Sequence, residues 1–175
     1  NVFGPQREFD LTQLALEQEE GWGGMQVEVA RDVFQLAQVF TISRGSRTEA
    51  QVLTVRLKDG AHQGWGECVP YARYYETLES VTAQIMGLPE VVSREALYDL
   101  LPAGAARNAV DCALWDLEAK QKGKRVWELA GLPVPGPEIT AYTLSLAASD
   151  EMRAQAEKNA HRPLLKIKLG TPDDM

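Results

Sequence analysis

The stretch Leu164–Gly170, LLKIKLG, sets two lysines two residues apart in a run of aliphatic side chains. Side chains two apart on a strand share a face, so Lys166 and Lys168 project with Leu164, while Leu165, Ile167 and Leu169 point the other way. Two readings of the lysine face are open. On an edge strand the ammonium groups stand in water, a common device against edge-to-edge pairing. On a parallel strand flanked by helices that face is enclosed, in a barrel it is the interior, and two ammonium groups there are costly unless paired or used.

The preceding residues favour the enclosed reading. EITAYTLSL (Glu138–Leu146) reads as a strand, and SDEMRAQAEKNAHR (Ser149–Arg162) as a helix capped by Ser149 or Asp150. Strand, helix and lysine strand make a βαβ unit, which predicts a parallel sheet with helices covering the odd-numbered face of the lysine strand. One such unit takes about 30 residues and a closed eight-stranded barrel about 250. Residues 138–175 are all that follow Pro137, so a barrel is begun and not completed. Thr171–Asp174 reads as a helix cap and first turn with no helix after it, and the chain opens on Asn1 rather than methionine. A piece of a longer protein is expected.

Upstream of the proline-rich PVPGPE (Pro133–Glu138), the best domain boundary, the patterning is α+β. Val27, Val29 and Arg31 alternate with Gln26, Glu28 and Ala30, and Leu53, Val55 and Leu57 alternate with Thr54, Arg56 and Lys58. Asp59-Gly60 signals a hairpin, HQGWGECVP (His62–Pro70) gives a third strand, and an antiparallel meander follows. Polar, glycine-containing TISRGSRTEA (Thr41–Ala50) between the first two strands reads as a mobile exposed loop. Helical periods then run through Glu76–Leu88, Ser93–Leu101 with Ser93 as cap, a longer helix after PAGA (Pro102–Ala105), and Arg125–Leu132 closed by Gly131. Asp111, Asp116 and Glu118 lie off the apolar stripe of the longer helix and read as solvated or capping charges. The organisation is thus a tail over 1–24, an α+β domain over 25–133 and the first β/α units of a (β/α) barrel over 134–175.

Composition narrows the function classes. A formal charge of −7 without a lysine or arginine cluster argues against nucleic acid. No apolar run approaches a membrane span, and Cys68 and Cys112 form no disulfide framework, which points to the cytoplasm. A homo-oligomer is left open. GWGE (Gly64–Glu67) lacks the spacing of a phosphate loop and reads as a tight strand that another backbone approaches closely. His62 and His161 lack metal-pair spacing and read as surface residues.

The lysine pair suits proton abstraction. Like charges a few ångströms apart disfavour double protonation and leave one amine able to take a proton near neutral pH. Lys168, nearer the C-terminal end of the strand where barrel chemistry occurs, is the candidate base, and Lys166 its tuning partner. Thr143 and Ser145 share a face with Ala141 on the companion strand, where they either line the same cavity or bond backbone inside the fold. Arg44 and Arg47 are either solvated charges or a guanidinium clamp for a carboxylate.

Taken in order, ISRGSRTEA, GWGECVPYARYYET, PAGAARNAVDCALWDLEAK and LLKIKLG resemble the muconate-lactonising branch of the enolase superfamily, and within it the dipeptide epimerases. The resemblance covers Met25 onward. It implies a capping domain followed by a modified (β/α) barrel, with Lys168 as acid/base, Lys166 as its electrostatic partner, Arg47 binding the side-chain carboxylate of an L-Ala-D/L-Glu-type dipeptide, and Thr143 near the catalytic lysine. The implied reaction inverts the α-carbon of the C-terminal residue through an enediolate held on Mg²⁺. A carbon acid α to a carboxylate needs such an ion to offset the second developing charge. Its ligands belong to later barrel strands, so no residue of this chain is expected to bind it, Asp173 and Asp174 included, and the chain alone is expected to be inactive. The resemblance also implies a role in cell-wall peptide turnover. A cycloisomerase or o-succinylbenzoate synthase shares the lysines, and a non-catalytic α+β interaction module would leave them in water. Tyr75 stands where relatives often carry glycine, which touches the shape of that capping loop and hence dipeptide preference.

Overall fold

The computed structural model describes residues 24–42, 45–90 and 92–170. The tail over 1–23, Arg44 and the expected cap over Thr171–Asp174 lie outside the described residues. One compact unit combines the chain up to Val33 with Gln51–Val134, and a second combines Phe34–Ala50 with Pro135 onward.

In the first unit the alternation of Leu53, Val55 and Leu57 does what it predicts: all three are buried on one face of β2 (Gly45–Asp59). A two-residue turn follows, with Gly60 at φ 55°, and returns the chain as β3 (His62–Cys68), with Val55 opposite Gly66 and Leu57 opposite Gly64. β1 (Gln26–Ile42) lies on the other side of β2, giving the order β1–β2–β3. Paired residues share a face, so Gly64, Gly66 and Cys68 turn inward while Trp65 and Glu67 turn out.

Against that face packs α3 (Ala105–Gln121), whose inner stripe is Ala105, Ala106, Ala109, Val110, Ala113, Leu114 and Leu117. The glycines set the distance. A Cβ on Gly66 would lie 1.9 Å from the Ala109 carbonyl oxygen, and one on Gly64 would lie 2.0 Å from that of Ala113. GWGE is therefore the close backbone approach its composition predicts. The same helix satisfies the exposed edge of β3: Trp65 N–H donates to Asp116 Oδ2 at 2.9 Å, Lys120 Nζ donates to the Gln63 carbonyl at 2.8 Å, and Asn108 Nδ2 to that of Glu67 at 3.3 Å. The solvated-charge reading of the helix acids is thereby corrected. Asp116 is a clasp, and Glu118 joins Arg94 and Lys122. Bonding from Lys122, then from Arg94, holds the Glu118 carboxyl below its ordinary range. Asp111 Oδ1 is buried without a hydrogen-bond partner among the described residues.

α1 (Leu78–Met86) begins at a capping box between Thr77 and Ser80, and α2 (Arg94–Leu100) at Ser93, whose side chain accepts from Ala96 N–H; Val81, Ile85 and Leu97 complete the core. α4 (Val126–Leu129) ends near Gly131 at φ 67°. Between β3 and α1, a 3₁₀ turn (Ala72–Tyr74) ends on Tyr75 in the left-handed region, φ 60° and ψ 27°. Glu76 fastens this turn to α3, accepting from Tyr71 N–H at 3.0 Å and from Ala105 N–H at 2.7 Å.

The Tyr75 side chain is 95% exposed, so its backbone strain is offset by no packing. Tyr75→Gly is expected to stabilise the chain by about 1 kcal/mol, the left-handed penalty of a residue with a Cβ less the extra chain entropy glycine loses. A urea melt checks this, and a lowered midpoint would contradict it.

Candidate functional site

The second unit holds the sequence-predicted site residues that fall among the described ones. β4 (Tyr142–Leu144) and β5 (Leu165–Ile167) pair in parallel, as the βαβ pattern requires, with Tyr142 opposite Leu165, Thr143 opposite Lys166 and Leu144 opposite Ile167. Thr143 and Lys166 thus stand side by side on one face, and Ser145 and Lys168 continue that face beyond the paired residues. Lys168 is half-buried and Lys166 exposed. Leu144 is buried on the opposite face.

α5 (Ser149–Lys158) connects the two strands and packs against β4. One expectation is corrected here. The N-cap is Ala148, without a side-chain cap, and Ser149 and Asp150 lie inside the first turn, where Asp150 and Glu151 complement the helix dipole. On the odd-numbered face of the lysine strand Leu165 is half-buried, while Ile167 is 56% and Leu169 66% exposed; α5 packs on β4.

Arg47 departs from its expected setting. The described residues of the Thr41–Ala50 stretch are strand and not loop: β1 continues to Ile42 and β2 starts at Gly45, so Arg47 is a strand residue, exposed, near the end of a long ribbon. Polar pairs tie the ribbon's distal part together, Gln35 Nε2 to Glu49 Oε2 at 3.3 Å and Thr41 Oγ1 with Ser46 Oγ at 2.9 Å. Cross-strand hydrogen bonding needs no apolar alternation, which is why composition misreads this segment.

Ser145 joins the ribbon to the lysine sheet. Its Oγ accepts the Thr41 N–H at 2.7 Å and donates to the Val39 carbonyl at 3.4 Å, while Leu146 N–H donates to the Thr41 carbonyl at 3.0 Å. Of the two readings of that hydroxyl, backbone bonding inside the fold is the one observed. These bonds bring residues more than one hundred positions apart together, and no local signal announces them.

Elsewhere among the described residues the chemistry is sparse. No three His, Cys, Asp or Glu side chains converge as a metal site, so the described residues do not fit a Mg²⁺ centre. Cys68 is a core residue, and its burial, then the charges of Glu76 and Glu67, pushes the thiol up to about 11. A cleft of about 480 Å³ in the first unit lies between Tyr71, Tyr74, Glu76 and the start of α3. No helix among the described residues is long and apolar enough to cross a membrane.

Comparison with known proteins agrees with this architecture. Residues 24–131 match the family described as Mandelate racemase / muconate lactonizing enzyme, N-terminal domain. The L-Ala-D/L-Glu epimerase of Escherichia coli (strain K12) is 44% identical over 149 residues, covering 82% of this chain and 46% of that protein. A crystal structure of an enolase family member from Agrobacterium tumefaciens with homology to dipeptide epimerases, holding sodium and L-Ala-L-Glu, superposes with a TM-score of 0.79 at 51% identity, over 87% of this chain and 47% of that one. A dipeptide epimerase from Methylococcus capsulatus, complexed with Mg and L-Arg-D-Lys, gives a TM-score of 0.71 at 27% identity, over 83% of this chain and 46% of that one. The chain spans about half the length of the curated relatives it matches.

Proposed function

The chain belongs to the mandelate racemase/muconate lactonizing enzyme family of the enolase superfamily, whose N-terminal domain it carries, and on that premise we propose that the whole protein is a dipeptide epimerase. In this reading it inverts the α-carbon of the C-terminal residue of L-Ala-D/L-Glu-type dipeptides through an enediolate. Lys168 takes the α-proton at Nζ, Lys166 is its electrostatic partner, and a second acid outside the described residues returns a proton on the opposite face. Thr143 lies beside the lysines, and Arg47 binds the side-chain carboxylate of the substrate. The observation that carries the reading is the parallel register placing Thr143 against Lys166, with Lys168 two residues on, in the same compact unit as Arg47.

Mg²⁺ is part of the proposal for the whole protein, with ligands supplied outside the described residues. When bound, such an ion offsets the charge developing on the carboxylate. The chain by itself is then inactive. A cytoplasmic setting and substrates from cell-wall peptide turnover complete the reading.

Arg47 separates this reading from a cycloisomerase or o-succinylbenzoate synthase. In the whole enzyme, Arg47→Met is expected to raise KM for L-Ala-L-Glu about 100-fold, the weight of a charge-assisted bidentate pair at roughly 3 kcal/mol. KM for L-Ala-L-Leu, which lacks the second carboxylate, should change by less than about threefold. Steady-state kinetics on both dipeptides measures it, and an equal loss on both would remove Arg47 from carboxylate recognition.

A further inference from the structure

We propose that Ser145 is a positioning residue: it anchors the ribbon carrying Arg47 to the strand beside the lysines, and so fixes how an acidic dipeptide is held without touching it. The functional half of this inference rests on the epimerase reading; the structural half does not.

Among the described residues Ser145 is the one polar residue buried as a whole, 7% exposed. A buried hydroxyl costs stability unless bonded, and both of its bonds go to Val39 and Thr41 of the ribbon. Thr41 in turn meets Ser46 across the ribbon, next to Arg47 in sequence. In the other direction Ser145 is two residues from Thr143, the register partner of Lys166. One hydroxyl therefore stands between the candidate carboxylate clamp and the candidate proton-transfer groups.

Such an anchor has a physical purpose. An isolated two-stranded ribbon is marginal in water, and a binding constellation has to be held within about 0.5 Å of its productive geometry. The Leu146–Thr41 backbone bond survives loss of the hydroxyl, so Ser145→Ala should loosen the ribbon's attachment and leave the fold in place.

The test has two arms. In this chain, amide hydrogen exchange at Thr41 is expected to quicken about tenfold in Ser145→Ala, the loss of one buried hydrogen bond, and to return toward wild type in Ser145→Thr, which keeps the hydroxyl. Exchange at Val55 in the first unit should not change. In the whole enzyme, Ser145→Ala should raise KM for L-Ala-L-Glu about tenfold, with kcat within about threefold and KM for L-Ala-L-Leu within about twofold. Ser93→Ala, which removes the α2 cap at comparable cost to stability, should move neither KM. Unchanged Thr41 exchange in Ser145→Ala overturns the anchor. Equal KM losses on both dipeptides, or the same losses in Ser93→Ala, overturn its role in recognition. Should the wild-type whole enzyme epimerise neither dipeptide, the epimerase reading and with it the recognition role fail, and Thr41 exchange alone decides the anchor.

Discussion

In the whole enzyme, Lys168→Ala is expected to slow α-proton exchange of L-Ala-L-Glu by about 10³-fold, within the range that positioned general bases contribute. Binding should be nearly intact, because in the proposed reading the amine acts on the reacting proton while Arg47 would hold the other end. The loss therefore belongs in kcat, and KM should stay within about threefold. Lys166→Ala should cost less, about tenfold to a hundredfold, since a charge partner adjusts the base and does not take the proton itself. Exchange followed by mass spectrometry in deuterated water measures both. Undiminished exchange in the double variant would mean that proton transfer occurs elsewhere, whatever the fold.

The second large effect is on the first unit. Gly66→Ala would set a methyl group 1.9 Å from the Ala109 carbonyl oxygen and 2.9 Å from the Ala113 nitrogen, both backbone atoms of a long helix. No side-chain rotation relieves that, so α3 must lift from β3 as a body and open the core it covers. A cost of about 3 kcal/mol or more is expected, a large share of the stability of a domain this size. Gly60→Ala is the informative contrast, because a methyl group there would meet no atom within 4 Å and only its φ of 55° is at issue. There the cost should be about 1 kcal/mol. Urea melts of the two variants measure the difference, and equal midpoints would show that α3 does not depend on the glycine-lined contact.

What could be read from the chain follows from which forces leave a local trace. Leu53, Val55 and Leu57 mark a half-buried strand because burial on one face imposes a period of two, and Ser93 marks a helix start because an uncapped turn leaves donors unpaired. Gly64 and Gly66 mark a close approach because nothing else fits. The lysine strand was legible for the same reason, with charge interrupting an aliphatic run. The ribbon around Arg47 was not: Gly45, Ser46, Arg47 and Thr48 of β2 are all exposed and so carry no alternation, and the ribbon is tied by polar pairs. The Ser145–Thr41 anchor was illegible because both partners are ordinary residues whose meaning lies in a contact across the fold. The Asp116–Trp65 and Glu76–Ala105 clasps escaped likewise, since a carboxylate serving a distant backbone N–H looks in sequence like any solvated acid.

The decisive measurement is deuterium wash-in at the α-carbon of the glutamate residue in L-Ala-L-Glu, followed with the whole enzyme and, separately, with this chain alone. The whole enzyme is predicted to incorporate solvent deuterium and yield both epimers, to lose that activity when divalent ions are chelated, and to lose it again in Lys168→Ala, while the chain alone incorporates none. Full incorporation by the isolated chain, or by the whole enzyme without the lysine, would contradict it.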